Sequence, residues 1–106
     1  VKVKKDIPNL GMELKDLSDR QLELLDLDGG VIVASVERYS SAADAGMRQG
    51  DVIFEINKKK VKSIDDFNDQ IEKHKKGDVV RLKVRVKQDE ENFDRLVFME
   101  IPSNIN

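Results

Sequence analysis

Ser41-Ala42-Ala43-Asp44-Ala45-Gly46-Met47-Arg48-Gln49-Gly50-Asp51-Val52-Ile53-Phe54-Glu55-Ile56-Asn57 is the stretch that decides the fold. Its first part is a run of small, helix-tolerant residues closed by Gly46, which takes the left-handed backbone of a helix C-cap without a Cβ penalty. One turn of helix and a stop are predicted. Gly50-Asp51 gives a tight turn, and Val52, Ile53, Phe54 and Ile56 form an apolar run with few polar interruptions, the pattern of a strand covered on both faces. That strand is expected at the centre of a sheet.

Toward the N-terminus, Val31-Ile32-Val33-Ala34-Ser35-Val36 reads as a buried strand rich in β-branched residues, and Gly29-Gly30 before it marks a tight approach. Leu17-Ser18-Asp19-Arg20-Gln21-Leu22 is a helix start with reciprocal chemistry. Ser18 can accept from the Gln21 amide while the Gln21 side chain reaches back to Ser18, and Leu17 and Leu22 hold the positions of a hydrophobic staple. The helix is predicted to run to about Leu25. Met12 and Leu14 share one face and Glu13 and Lys15 the other, so a short edge strand is expected here, entered through a turn at Leu10-Gly11. Residues 1–9 end in Ile7-Pro8-Asn9, where Pro8 pushes Ile7 toward an extended path, and read as a linker.

Toward the C-terminus, Lys58-Lys59-Lys60 reads as a solvated turn. Ser63 is a candidate N-cap, with Asp65 and Asp66 in the first turn, where the helix dipole favours negative charge. Ile64, Phe67 and Ile71 make one apolar stripe, and Gly77 is expected to stop this second main helix. Val80, Leu82, Val84 and Val86 alternate with Arg81, Lys83, Arg85 and Lys87, giving a strand with an apolar face and a basic face. The basic face reads as a solvated sheet surface, with an anion-binding surface as the alternative. Asp89-Glu90-Glu91-Asn92 makes a polar hairpin turn, and residues 95–101 return as the closing strand, ended by Pro102. The expected organisation is a linker over residues 1–9, one domain over 10–102 and a tail over 103–106.

Composition narrows the function. In 106 residues, 39% hydrophobic and 38% charged, there is room for one domain with a core and a charge-rich surface. A net charge of −2 gives no general attraction to nucleic acid or anionic membrane, and one Tyr and four Phe at mostly core-spaced positions leave few aromatics for base stacking. The chain has no Cys, which removes disulfides, thiol catalysis and thiolate metal sites. Direct membrane insertion is not expected, because no stretch of about 18 apolar residues occurs. The start, Val1-Lys2-Val3-Lys4-Lys5, lacks the apolar segment of a signal peptide, and a start without Met suggests a piece of something longer. His74 is the only histidine; it falls among Lys73, Lys75 and Lys76, where a solvated surface position is expected, and no Gly-x-Ser-x-Gly surrounds any serine. The chain is expected to be non-catalytic and to need no cofactor or metal.

What remains is binding through an unpaired strand edge. If residues 12–15 form an edge strand beside the second main helix, the gap between them can accept an extended peptide as one more strand. Backbone bonds would give sequence-independent affinity and alternate side chains would give selectivity. Amides in the Leu10-Gly11-Met12 loop could form a nest for a terminal carboxylate; equally, Gly11 could simply make a turn between two core residues.

The opening stretch, with its small-residue turn, Ala-Gly, an apolar residue, Gly-Asp, an apolar strand and Ile-Asn, resembles the signature of the PDZ domain as bacteria build it. The family makes its next turn as Asn-Gly where this chain has Asn57-Lys58. The resemblance implies an α+β fold: a small, partly open antiparallel β-barrel or sandwich of five to six strands with two main helices. A carboxylate loop and edge strand that open the chain, with the closing strand last, match the circularly permuted order of bacterial PDZ domains. Carried over by position, Leu10, Gly11 and Met12 would form the carboxylate loop, Met12, Glu13 and Leu14 the groove strand, and Ile64, Asn68 and Ile71 its helical wall. Ile64 implies a preference for an apolar ligand side chain at its site. The chain is similar to PDZ domains of Do-like (HtrA, Deg) periplasmic serine proteases. That likeness implies a periplasmic module of protein quality control, with peptide or unfolded-protein C-termini and the protease domain of the parent chain as partners. The alternative is an assembly module with an idle groove, working through oligomer or interdomain contacts.

Overall fold

The computed structural model describes residues 10–102; the linker and tail assigned to residues 1–9 and 103–106 lie outside the described residues. The elements run β1 (Met12–Asp16), α1 (Asp19–Leu25), β2 (Val31–Val36), α2 (Ser41–Asp44), β3 (Val52–Ile56), β4 (Lys59–Lys60), α3 (Ile64–Glu72), β5 (Val79–Gln88) and β6 (Glu91–Glu100). One six-stranded sheet has the order β1-β2-β3-β5-β6, with β4 added beside β3. All pairings are antiparallel. The apolar run after Gly50-Asp51 is the central strand, as its pattern requires: Val52, Ile53 and Ile56 are buried.

Local chemistry sets the element ends. Ser18 Oγ accepts from the Gln21 amide at 3.2 Å and Gln21 Oε1 from the Ser18 amide at 2.9 Å, so the reciprocal cap of α1 is formed. Ser40 Oγ caps α2 by accepting from Ala43 N, and Ser63 Oγ caps α3 by accepting from Asp66 N. The tight approach at Gly29 is toward Lys62: a Cβ there would lie 2.7 Å from Lys62 Cβ. The core joins Val31 and Val33 of β2, Ile53 and Ile56 of β3, Phe67 and Ile71 of α3 and the inward faces of β5 and β6. It fixes α3 across the sheet, close to β1.

The structure departs from the sequence reading at three places. Gly77 does not stop α3, which ends at Glu72; the Lys73 amide bonds back to Gln70 O and the His74 amide to Ile71 O, closing the helix with short turns. Gly77 instead opens the way to β5, its amide bonded to Ile101 O at 2.9 Å. Lys59 and Lys60 are not turn residues but a short strand, paired with Ile56 and Glu55. The β5–β6 turn is only Asp89-Glu90, both at positive φ, so Glu91 and Asn92 already belong to β6.

Candidate functional site

Five residues of β1 pair with β2 on one side only, and no strand lies on the other side among the described residues. A bulge makes Ala34 the extra residue of β2 between the pairs Glu13–Ser35 and Leu14–Val33. Met12 and Leu14 face the core margin and are half-buried, while Glu13 and Lys15 are exposed. Alongside runs α3, whose Ile64 is also half-buried and packs on the same core margin. Asn68, one turn further on, is half-buried too. The Asp16 carboxylate accepts from the Ile64 amide at 2.8 Å, which ties the end of β1 to the start of α3. This bond satisfies an otherwise unpaired first-turn amide of α3 and fixes the gap between strand and helix.

At the other end lies the 10–12 loop. Leu10 is buried, and its carbonyl accepts from Ala42 N at 2.9 Å; the Gly11 carbonyl accepts from Glu37 N at 2.7 Å. Both carbonyls are thus held against the β2–α2 connection. Gly11 has φ 86°, and a Cβ there would overlap Ser40, the cap of α2. Glycine is therefore required twice over, by conformation and by space.

The expected site residues fall on β1, its entry loop and α3, at different depths. Met12, Leu14, Ile64 and Asn68 are half-buried and Glu13 is exposed, while Gly11 is buried and the Leu10 side chain lies in the core, leaving the loop its backbone to offer. Ile71 is fully buried in the core, so it holds α3 in place and has no surface of its own to offer. Sequence reasoning missed Asp16 and Ser40. Ser40 carried a readable signal, a Ser directly before a small-residue helix; the Asp16–Ile64 bond spans 48 positions and carried none.

Two other expectations change. His74 is not simply solvated: its side chain is 23% exposed, with Nε2 3.2 Å from Asn57 Nδ2 and Nδ1 3.5 Å from Asp78 Oδ2. It clasps the β3–β4 turn to the α3–β5 connection. The basic face of β5 is also not uniform. Arg85 is forked onto Asp94 at 2.7 and 3.0 Å and donates to Leu25 O at 2.8 Å. The Asp94 hydrogen bond raises the Arg85 pKa, and the same bond holds the Asp94 carboxyl below its ordinary value. Lys83 and Arg85 both lie over the Phe54 ring, 5.8 and 4.9 Å from its centroid. Among the described residues no group of His, Asp and Glu could hold a metal ion, and no helix is long and apolar enough to cross a membrane.

The PDZ domain family model matches residues 8–97. The chain belongs to the PDZ family. As a PDZ module it is a non-catalytic domain. The serine protease Do-like HtrA of Lactobacillus helveticus is 40% identical over 58 residues, 55% of this chain and 14% of that protein. A probable periplasmic serine endoprotease DegP-like of Pseudomonas fulva is 35% identical over 75 residues, 71% of this chain and 15% of that protein. This PDZ domain thus spans about one seventh of the length of these relatives. Among solved structures, an HtrA-type protease AlgW with decapeptide is similar at a TM-score of 0.68 and 26% identity, over 91% of this chain and 29% of that one. The HtrA3 PDZ domain bound to a phage-derived ligand shares the fold at a TM-score of 0.67 and 16% identity, over 89% of this chain and 83% of that one.

Proposed function

We propose that this PDZ domain captures apolar C-terminal or extended peptide segments by strand addition to β1. The observation that carries the reading is the edge of β1, which has no strand neighbour among the described residues, with Met12, Leu14 and Ile64 half-buried along it. A peptide running antiparallel to β1 would bond to its backbone, Glu13 contributing through main chain alone. Alternate peptide side chains would lie on Met12, Leu14, Ile64 and Asn68, with Ile71 supporting them from beneath. Backbone amides of the 10–12 loop would receive the terminal carboxylate, a charge-assisted contact stronger than a neutral one. In a cell-envelope serine protease, periplasmic as the DegP-like relatives are named, the domain would recognise substrate and pass the signal to the protease domain of its own chain.

The test is a two-dimensional NMR titration with an apolar-ended peptide and, in parallel, its C-terminal amide. Shifts confined to residues 10–14 and 64–71, with the amide at least about tenfold weaker, are expected from the loss of one charge-assisted bond. Ile64→Asp should weaken the acid peptide similarly; because Ile64 also packs on the core margin, some loss of stability is expected, and a retained cooperative unfolding transition above the titration temperature shows that the fold survives. Gly11 is a poor probe, because any side chain there would collide with Ser40. Equal shifts from both peptides would reassign the groove to internal segments. If neither peptide binds, peptide capture fails and the assembly role takes its place.

A further inference from the structure

A second surface, away from the β1 groove and independent of it, lies on the outer face of β5 and β6. Val80, Leu82 and Val84 of β5 and Val97 and Met99 of β6 point into the core and are buried. Their neighbours in sequence therefore point out, and the register sets Lys83 opposite Leu96, Arg81 opposite Phe98 and Val79 opposite Glu100. Val79, Leu96 and Phe98 are 59%, 52% and 60% exposed, so three large apolar side chains share one open patch. Large apolar side chains gathered in one patch and rimmed by charge are a feature of interaction surfaces.

The charge around the patch says what it fits. A shallow cavity of about 330 Å³ beside Leu96 is lined by Glu55, Lys58, Arg81 and Lys83, so cations outnumber carboxylates there. Arg85 adds nothing to this excess, being spent on Asp94 and on backbone carbonyls. A flat anionic bilayer is a poor match, since its headgroups would cover Glu55 and Glu100 together with the cations, whereas a single extended segment can place its carboxylates at Lys58, Arg81 and Lys83 and pass the two glutamates by. A second copy stacked face to face is a poor match too, because it would set Arg81 and Lys83 against their own counterparts. We propose that this face docks an acidic protein segment whose apolar residues lie on Leu96 and Phe98 and whose carboxylates reach Lys58, Arg81 and Lys83.

The test uses the 106-residue chain and two decapeptides, acetylated and amidated so that no terminal carboxylate competes for the groove. One alternates Leu with Glu, the other Leu with Lys. In NMR titrations at low salt the acidic peptide should shift residues 79–83 and 96–98 and bind at least about tenfold more tightly than the basic one, with affinity falling as salt rises. Lys83→Glu should abolish that preference, and Phe98→Ser should weaken the acidic peptide while sparing the groove's response to an apolar-ended peptide. Both positions are on the surface, and unchanged thermal unfolding would certify each variant. Equal binding of the two peptides, shifts confined to the groove or no binding would overturn the proposal. So would binding to phosphatidylglycerol vesicles in place of peptide, or sedimentation as a dimer that Leu96→Lys dissociates.

Discussion

The sheet has two ends, β1 and β6, and at both the backbone lacks a strand neighbour among the described residues. β1 is five residues long, lies beside α3, and keeps Met12 and Leu14 half-buried. β6 is ten residues long and leaves Leu96 and Phe98 in the open. The open hydrogen-bonding edge is common to both, so it cannot be what makes a peptide site. The difference is the length of the neighbouring helix. The one-turn α2, four residues long, packs near β6, and Arg95 ties that strand to Gly46 and Asp51 just beyond it. The nine-residue α3 runs beside β1 at a distance set by the Asp16–Ile64 bond, so that an added strand could bury alternate side chains while its backbone pairs. At β6 an added strand would meet a much shorter wall, and the useful surface there is the face.

The largest test of this contrast removes the anchor of the wall. Ile71 is fully buried beneath α3, and Ile71→Ala should cost about 2–5 kcal/mol, measured by urea unfolding. It should also weaken peptide capture at β1 without altering binding at the β5–β6 face. Peptide affinity unchanged in a folded Ile71→Ala chain would show that helix placement does not distinguish the two edges.

A smaller effect belongs to the other edge. Asp51 is 4% exposed, accepts from Arg48 N at 3.0 Å and pairs with Arg95 of β6 at 2.7 Å, and Arg95 also donates to Gly46 O. Arg95→Met strands a buried carboxylate. The full penalty for such a loss is about 3–5 kcal/mol, and solvent at the half-exposed guanidinium should reduce it to about 2 kcal/mol. Adding Asp51→Asn should recover part of the loss, because no charge then remains buried; the double-mutant cycle measures it. Peptide binding at β1 should not change.

Acid unfolding reads a third contact. Arg85 holds the Asp94 carboxyl below its ordinary pKa. Asp94 therefore contributes stability that is fully present above the ordinary value, about 3.9, and is lost as pH falls through the lowered one. The pair is partly exposed, so the gap between the parent chain and Asp94→Asn should be at most about 1 kcal/mol. It should hold constant above about pH 4 and close below it. A gap that widened on acidification would contradict the sign of the linkage.

How legible these features were in the sequence depends on how local their causes are. The central strand, the caps of α1 and α3 and the inward face of β5 were readable because each rests on neighbours within a few positions, a Ser three residues before its amide partner or an alternation of two. The edge strand β1 and its entry turn were readable through the Met12–Leu14 alternation and Gly11. The family resemblance puts Ile71 on the groove wall and helical spacing puts it on the apolar stripe with Ile64, and neither says how deep a residue lies, which for Ile71 is full burial. The end of α3 differs from the reading because Gly77 has the look of a stop signal, whereas its amide serves Ile101, distant in sequence. The apolar face of β6 went unread because Leu96 and Phe98 resemble core residues until the register shows that they point outward.

The smallest predicted effect sits where the chain departs from its family. Asn57 and Lys58 form the two-residue loop between β3 and β4, with φ of 49° and 74°. Two-residue hairpin loops with both residues at positive φ favour Asn-Gly, since a β-carbon at the second position meets its own backbone. Lys58 carries that strain in an exposed position. Lys58→Gly relieves a strain of roughly 1–2 kcal/mol but also loosens the unfolded chain, a smaller opposing effect of about 0.4–1 kcal/mol. Relief of the strain outweighs the added chain freedom, so the net gain should be roughly 0.5–1 kcal/mol, or about 2–6 °C in thermal unfolding for a domain of this length. A fall in stability would mean that Lys58 contributes more to the fold through its place beside Glu55 and Arg81 than its backbone costs, and the strain would then serve no surface. A gain in stability together with weaker binding of the acidic decapeptide would show a trade: a turn kept strained because its side chain serves a surface.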